Sequence, residues 1–199
     1  MLISILTFQG YNELDSFIAF GILNRIKKPD WHVNICCPEE YVTSWNGLTV
    51  KAQSRFEDIE KSDAVVVGSG ALTRDVVRNS ELMEMIKLNP SKQLITAQCS
   101  GALILAKLGV LGKIPVCTDL TTKPWVQEAG VEVLNQPFYA ENNIATAGGC
   151  FSAQYLAAWV IAKTEGVKAA SEALHYVAPV GEKEAYVMRA MANIEKFLS

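Results

Sequence analysis

Two hydrophobic patterns alternate along this chain. Short runs of β-type residues are followed by longer stretches in which apolar residues recur every three or four positions. Leu2 to Phe8 is a continuous β-type run, as expected of a strand buried on both faces of a parallel sheet. Gly10-Tyr11-Asn12 turns the chain, and Asn12 is placed to cap a helix. Leu14, Phe17, Ile18, Gly21 and Ile22 then recur at helical spacing, predicting a helix to about Lys27 that stops at Pro29. His32 to Cys37 reads as a second strand. Tyr41 to Ile59 is less regular, with a short strand expected over Leu48 to Ala52. Asp63 to Gly68 is the clearest strand and runs into the turn Gly68-Ser69-Gly70. A helix is predicted from Val76 to Leu88, ended by Asn89-Pro90.

The stretch from Gln93 to Leu105 compresses a strand and a helix around one polar turn. Ala97-x-Cys99-x-Gly101 has the small-x-nucleophile-x-small layout of a nucleophile elbow, in which small neighbours let the backbone fold sharply and push one side chain out. The following helix starts at the cysteine, so its free N–H groups and dipole are expected to favour a thiolate. Further on, Ile114 to Thr118 reads as a short strand. Thr121 to Ala129 reads as a helix with Pro124 near its first turn. Val131 to Leu134, Phe138-Tyr139 and Asn143 to Ala147 read as short strands or a hairpin. Gly148-Gly149 introduces a nearly all-apolar, buried helix from Phe151 to Thr164. Val167 to Tyr176 and Glu182 to Leu198 complete the chain as helices.

Strands alternating with helices predict an α/β fold: one domain over residues 1–199, with a mainly parallel sheet covered by helices on both faces. In such sheets ligands bind outside the carboxyl ends of the strands. The turn after Phe8, the turn at Gly68-Ser69-Gly70, and Cys99 all fall at that edge.

Composition narrows the chemistry. Half of the 199 residues are apolar and the net charge is -3, without basic blocks, so neither nucleic acid nor a membrane surface is an expected partner. The apolar N-terminus lacks a basic leader and no apolar run is long enough to span a bilayer. The five cysteines show no disulfide-framework spacing and no C-x-x-C pair, which fits reduced thiols, a cytoplasmic setting and no metal site. Cys36, Cys37, Cys117 and Cys150 are assigned to the core. His32 and His175 do not fall at strand ends, so a Cys–His–carboxylate triad is poorly supported. Asp119 stands where such a histidine would be expected. Asp15 reads two ways. It is either the acid of a capping box with Asn12, or a carboxylic acid close to the thiolate that holds a proton and acts as general acid or base. Backbone N–H groups of Gly70 and Ser100 are candidate oxyanion donors.

Taken together, these residues resemble the ThiJ/PfpI superfamily, with its class I glutamine amidotransferase-like, flavodoxin-like three-layer sandwich. The resemblance rests on Gly10 to Asp15, on Asp63 to Gly70, on Cys99 to Ala106 with Gly109 to Gly112, and on Asn143 to Gly149. Aspartate at Asp15 and the segment Leu174 to Pro179 are similar to the branch that contains isonitrile hydratases. The resemblance implies a cofactor-free, cysteine-dependent hydratase or hydrolase acting on a small electrophilic carbon. Cys99 would be its nucleophile, Asp15 its acid/base, and Gly70 and Ser100 its backbone donors. It also implies a homodimer. The chain departs from the family pattern at Asp119, where histidine is frequent, at Ser100, where threonine is usual, and at Tyr155, where aspartate is common. Oxidation sensing at Cys99 and a catalytically silent small-molecule-binding role are the alternatives.

Overall fold

The computed structural model describes residues 1–198 and places a six-stranded sheet at the centre of the chain, in the order β2-β1-β5-β6-β8-β7. Its strands are β1 (Leu2–Leu6), β2 (His32–Cys36), β5 (Ala64–Val67), β6 (Leu94–Gln98), β7 (Phe138–Glu141) and β8 (Ile144–Ala147). All neighbouring pairs are parallel except β7 and β8, which form an antiparallel hairpin at one edge. A separate hairpin of β3 (Tyr41–Thr43) and β4 (Thr49–Lys51) stands beside the end of β1.

Period-two alternation sorts the strands' side chains between two cores. Ala64 and Val66 face one and Val65 and Val67 the other. The first core is closed by α1 (Glu13–Leu23), α6 (Ala153–Glu165), α7 (Val167–Val177) and α8 (Lys183–Ile194). The second is closed by α2 (Thr73–Arg78), α4 (Gly101–Leu108) and α5 (Lys123–Glu128), with the short α3 (Ser80–Met85) at its margin. The result is the three-layer α/β sandwich expected from the sequence. Helix α6 is buried on every side from Ala153 to Ile161, because α1, α7 and α8 cover the face that the sheet leaves open.

Several boundaries differ from the sequence expectations, each for a local reason. Helix α1 ends at Leu23 rather than Lys27, because Asn24 returns its side-chain amide to the Phe20 carbonyl at 2.9 Å and closes the last turn. The helix expected over Val76 to Leu88 is two helices. Asn79 ends α2 and caps α3 by accepting from the Leu82 N–H at 3.0 Å. Ile114 to Thr118 does not join the sheet. Val116 makes one parallel bridge to Val133, and the Cys117 N–H donates to Thr146 Oγ1 at 2.8 Å instead of to a strand.

At the carboxyl edge the topology reverses between β1 and β5, and the loops there are stitched together. The N–H of Asn12 donates to the Ser69 carbonyl, that of Ala71 to the Gly10 carbonyl and that of Trp45 to the Tyr11 carbonyl, all at 2.9 Å. Gly70 is required at this seam, since a Cβ there would lie 2.4 Å from the Gly10 carbonyl oxygen. The β3–β4 hairpin is drawn in by Glu13, which accepts from Ser44 Oγ and from Asn46 Nδ2. That hairpin carries the exposed ring of Trp45 to the mouth of a cavity.

Candidate active site

The cavity encloses about 390 Å³ and gathers Asp15, Ser69, Gly70, Cys99, Ser100, Asp119 and Cys150, with Trp45 and Trp125 at its apolar rim. All five residues singled out in the sequence are therefore brought to one place, from three separate turns and the first turn of α1.

Cys99 occupies the turn between β6 and α4 with φ 46°, in the left-handed region that non-glycine residues rarely adopt. The turn is held from both sides. The Cys99 N–H donates to the Ala147 carbonyl at 2.8 Å, and Thr118 Oγ1 donates to the Cys99 carbonyl at 2.7 Å. Gly101 lets α4 pass close under β5, since a Cβ there would sit 2.5 Å from the Val67 carbonyl oxygen. A conformation of this kind costs on the order of 1–3 kcal/mol and persists only where its surroundings over-determine it. These are the features of a nucleophile elbow.

Asp15 is completely buried on the first turn of α1. It does not close a capping box, because the Asn12 N–H it would have bound is engaged by the Ser69 carbonyl. Its Oδ2 accepts the Ser69 hydroxyl, while Oδ1 has no hydrogen-bond partner among the described residues. The carboxyl oxygen of Asp15 and the sulfurs of Cys99 and Cys150 lie within 4.8 Å of one another. The structure thus moves Cys150 from its expected place in the core to the site. Gly148-Gly149 ends β8, and β8 lies next to β6 in the sheet, so the residue after the two glycines emerges beside the elbow. A cysteine following a strand-ending glycine pair was the available signal, but strand order was needed to interpret it.

Two amides frame the sulfurs. Asn12 Oδ1 accepts from the Leu14 N–H at 3.1 Å, which turns Nδ2 toward Cys150 Sγ at 3.4 Å. Gln98 Nε2 donates to the Gly149 carbonyl at 2.8 Å and lies 3.3 Å from Cys99 Sγ. Asp15, Cys99 and Cys150 are the only donors among the described residues grouped closely enough to share a metal ion. The amides, however, present N–H groups where an ion would need further lone pairs.

The electrostatics reverse one sequence expectation. Instead of being eased toward thiolate by the start of α4, the Cys99 thiol is pushed far above the ordinary thiol range. Burial is the main cause, followed by the negative charge of Asp15. The Cys150 thiol is also pushed up, first by burial and then by Asp15, partly offset by the Asn12 amide. With Asp15 ionised, both thiols keep their protons. The same carboxyl thus acts on both thiols, and burial of each adds to its effect.

The other expected residues are placed as follows. Asp119 lines the cavity, and its Oδ1 accepts from the N–H groups of Thr121 and Thr122 at 3.0 and 2.9 Å, organising the turn into α5. Gly70 already donates its N–H to Ser100 Oγ at 3.2 Å. The Ser100 N–H has no hydrogen-bonded acceptor among the described residues. His32 and His175 are exposed and outside the cavity, the latter 3.5 Å from Glu184. Cys36, Cys37 and Cys117 are buried in the body of the protein. Tyr155 is a core residue packed edge-on against Phe138.

Residues 1–163 match the model of the DJ-1/PfpI family. The chain is 24% identical over 149 residues to an isonitrile hydratase of Pseudomonas putida, covering 74% of this chain and 64% of that protein's length. A ThiJ/PfpI family protein from Pseudomonas syringae superposes with a TM-score of 0.79 at 16% identity, over 98% of this chain and 88% of that one. DJ-1beta of Drosophila melanogaster superposes with a TM-score of 0.76 at 19% identity, over 88% and 96% of the two chains.

Proposed function

Because this chain belongs to the DJ-1/PfpI family, we propose that it is a cofactor-free enzyme whose Cys99 thiol adds to a small electrophilic carbon, in the manner of an isonitrile hydratase. The carrying observation is the pairing, in one small cavity without a histidine among its described lining residues, of a strained cysteine with a buried carboxyl whose Oδ1 has no hydrogen-bond partner among the described residues.

The carboxyl and the thiol together hold the proton that the addition needs. Cys99 passes its proton to Asp15 and its sulfur bonds to the isonitrile carbon. Asp15 then returns the proton to that carbon, leaving a thioimidate. Water adds to the same carbon, with Asp15 carrying one of its protons to the nitrogen. The carbon–sulfur bond then breaks as the new hydroxyl gives up its proton, which Asp15 passes to sulfur, and an N-substituted formamide leaves. The free N–H of Ser100 is the donor available to the charge that develops, with Gly70 joining when the Ser100 hydroxyl turns away. Trp45 and Trp125 offer an apolar rim to the substituent.

A panel of isonitriles, α-oxoaldehydes and amides, tested with the wild type, Cys99→Ala and Asp15→Asn, examines this reading. Turnover of an isonitrile is expected in the wild type alone. Full activity in Cys99→Ala on a substrate consumed by the wild type would overturn it.

The resemblance that suggests this chemistry also suggests a homodimer in the cytoplasm. Exposed Leu14, Phe151 and Tyr176 supply apolar surface near α1 and α7 for such a pairing. Light scattering that shows only monomer at micromolar concentration would exclude the dimer. Among the described residues no helix is long and apolar enough to cross a membrane.

A further inference from the structure

The hydratase chemistry above uses one of the two thiols in the cavity and leaves Cys150 idle. We infer that Cys99 and Cys150 form an intramolecular disulfide when a hydroperoxide reaches the cavity, with Cys150 as the resolving thiol and Asp15 as the shared proton carrier.

Three observations support this. The two sulfurs lie within 4.8 Å of each other, whereas Cys36, Cys37 and Cys117 belong to the buried interior and line no part of this cavity. An oxygen of the wholly buried Asp15 carboxyl lies within 4.8 Å of both sulfurs, and its Oδ1 has no hydrogen-bond partner among the described residues. Finally, Cys150 is partly exposed on the turn that follows Gly149, which has φ 87° and open space where a Cβ would stand. Bond formation has to close a sulfur–sulfur gap of at most 4.8 Å to a bonded distance of about 2.05 Å.

The atoms balance in two steps. In the first, Cys99 gives its proton to Asp15 and its sulfur attacks the peroxide oxygen. The O–O bond breaks, sulfur loses two electrons and becomes a sulfenic acid, and the departing alkoxide or hydroxide takes the proton from Asp15. In the second, Cys150 passes its proton to Asp15 and attacks the Cys99 sulfur. The S–O bond breaks as the S–S bond forms, and hydroxide leaves as water with that proton. An external dithiol reverses the change by reducing the disulfide. Neither step requires the hydratase reading, since no carbon substrate takes part.

Cys150 would then protect Cys99. Without it the sulfenic acid is exposed to a second peroxide and goes on to the irreversible sulfinic acid.

The test is limited treatment of the full chain with hydrogen peroxide, followed by blocking of free thiols, intact mass measurement and peptide mapping. The wild type should lose two hydrogens, yield a Cys99–Cys150 cross-linked peptide and return fully to the starting mass with dithiothreitol. Cys150→Ser and Cys150→Ala should instead gain two oxygens at Cys99, in a form dithiothreitol does not reverse. If the wild type shows no cross-linked peptide and gains two oxygens as fast as both variants, the inference is wrong. A cross-link between any other pair of cysteines also overturns it.

Discussion

Ser69 donates its hydroxyl to Oδ2 of the Asp15 carboxyl, the same carboxyl that lies beside the thiols of Cys99 and Cys150. The contact joins the turn after β5 to the first turn of α1, both at the carboxyl edge of the sheet. In the proposed reaction this is the carboxyl that carries the proton, with one oxygen fixed and the other unengaged.

Removing that hydroxyl should therefore affect both stability and the site. Ser69→Ala leaves a fully buried acceptor without its donor, at a cost of about 1–3 kcal/mol. Urea unfolding at neutral pH measures the loss, and Ser69→Thr should restore most of it. An unchanged midpoint in Ser69→Ala would mean that the hydroxyl does not hold the carboxyl.

Alkylation reports the coupling of Asp15 to Cys99. Burial and the carboxylate charge both raise the thiol, in that order, so neutralising the charge removes the second influence and leaves the first. At a fixed mildly alkaline pH, Asp15→Asn should react with iodoacetamide at Cys99 faster than the wild type, yet more slowly than an unhindered thiol. Peptide mapping assigns the site. Slower reaction in Asp15→Asn would reverse the sign of the proposed coupling.

Backbone strain at the elbow can be read from two substitutions that both delete the thiol. Cys99 has φ 46°, which alanine tolerates poorly and glycine readily. Cys99→Gly should thus be more stable than Cys99→Ala by about 1 kcal/mol. Thermal unfolding of the pair gives the difference, and an advantage for alanine would show that the turn relaxes in the variants.

Stability should fall on the alkaline side. Burial raises Cys36 to about 11, and Cys37 and Cys117 to about 12, from an ordinary 9.0. Above pH 9 the unfolded chain has released these protons while the folded chain still holds them. The unfolded state then binds fewer protons, and stability declines as pH rises toward 12. Below pH 9 this contribution is fully present. Each thiol adds a slope of up to about 1.4 kcal/mol per pH unit within that window. Urea unfolding at neutral pH and at about pH 10 measures the decline, and Cys117→Ala should show a shallower one. Equal stability at both values would contradict the assignment.

Much of this was legible in the order of residues. The β-type runs at Leu2, Asp63 and Gln93 and the helical spacings after them marked strands and helices, because burial on two faces and on one stripe leaves different periods. Ala97-x-Cys99-x-Gly101 pointed to the elbow, since only small neighbours allow that turn. Ile114 to Thr118 misled, because its β-type run satisfies its backbone through one bridge to Val133 and a side chain, not through the sheet. Val76 to Leu88 misled because Asn79 ends one helix and begins the next.

The linear sequence by itself determined the alternating α/β architecture, the carboxyl-edge position of Asp15, Gly70 and Cys99, and the sharp turn at the cysteine. These follow from local periodicity, capping and steric size, which act over a few residues. Tertiary structure decided what the site is made of and how it holds its protons. It brought Cys150 beside Cys99 by pairing β8 with β6, fixed Asp15 through Ser69, and gave Asp119 to the turn into α5. It also overrode the pull of the α4 terminus on the thiol. Desolvation and charge depend on what surrounds a group in space, and those neighbours come from loops far apart in the chain.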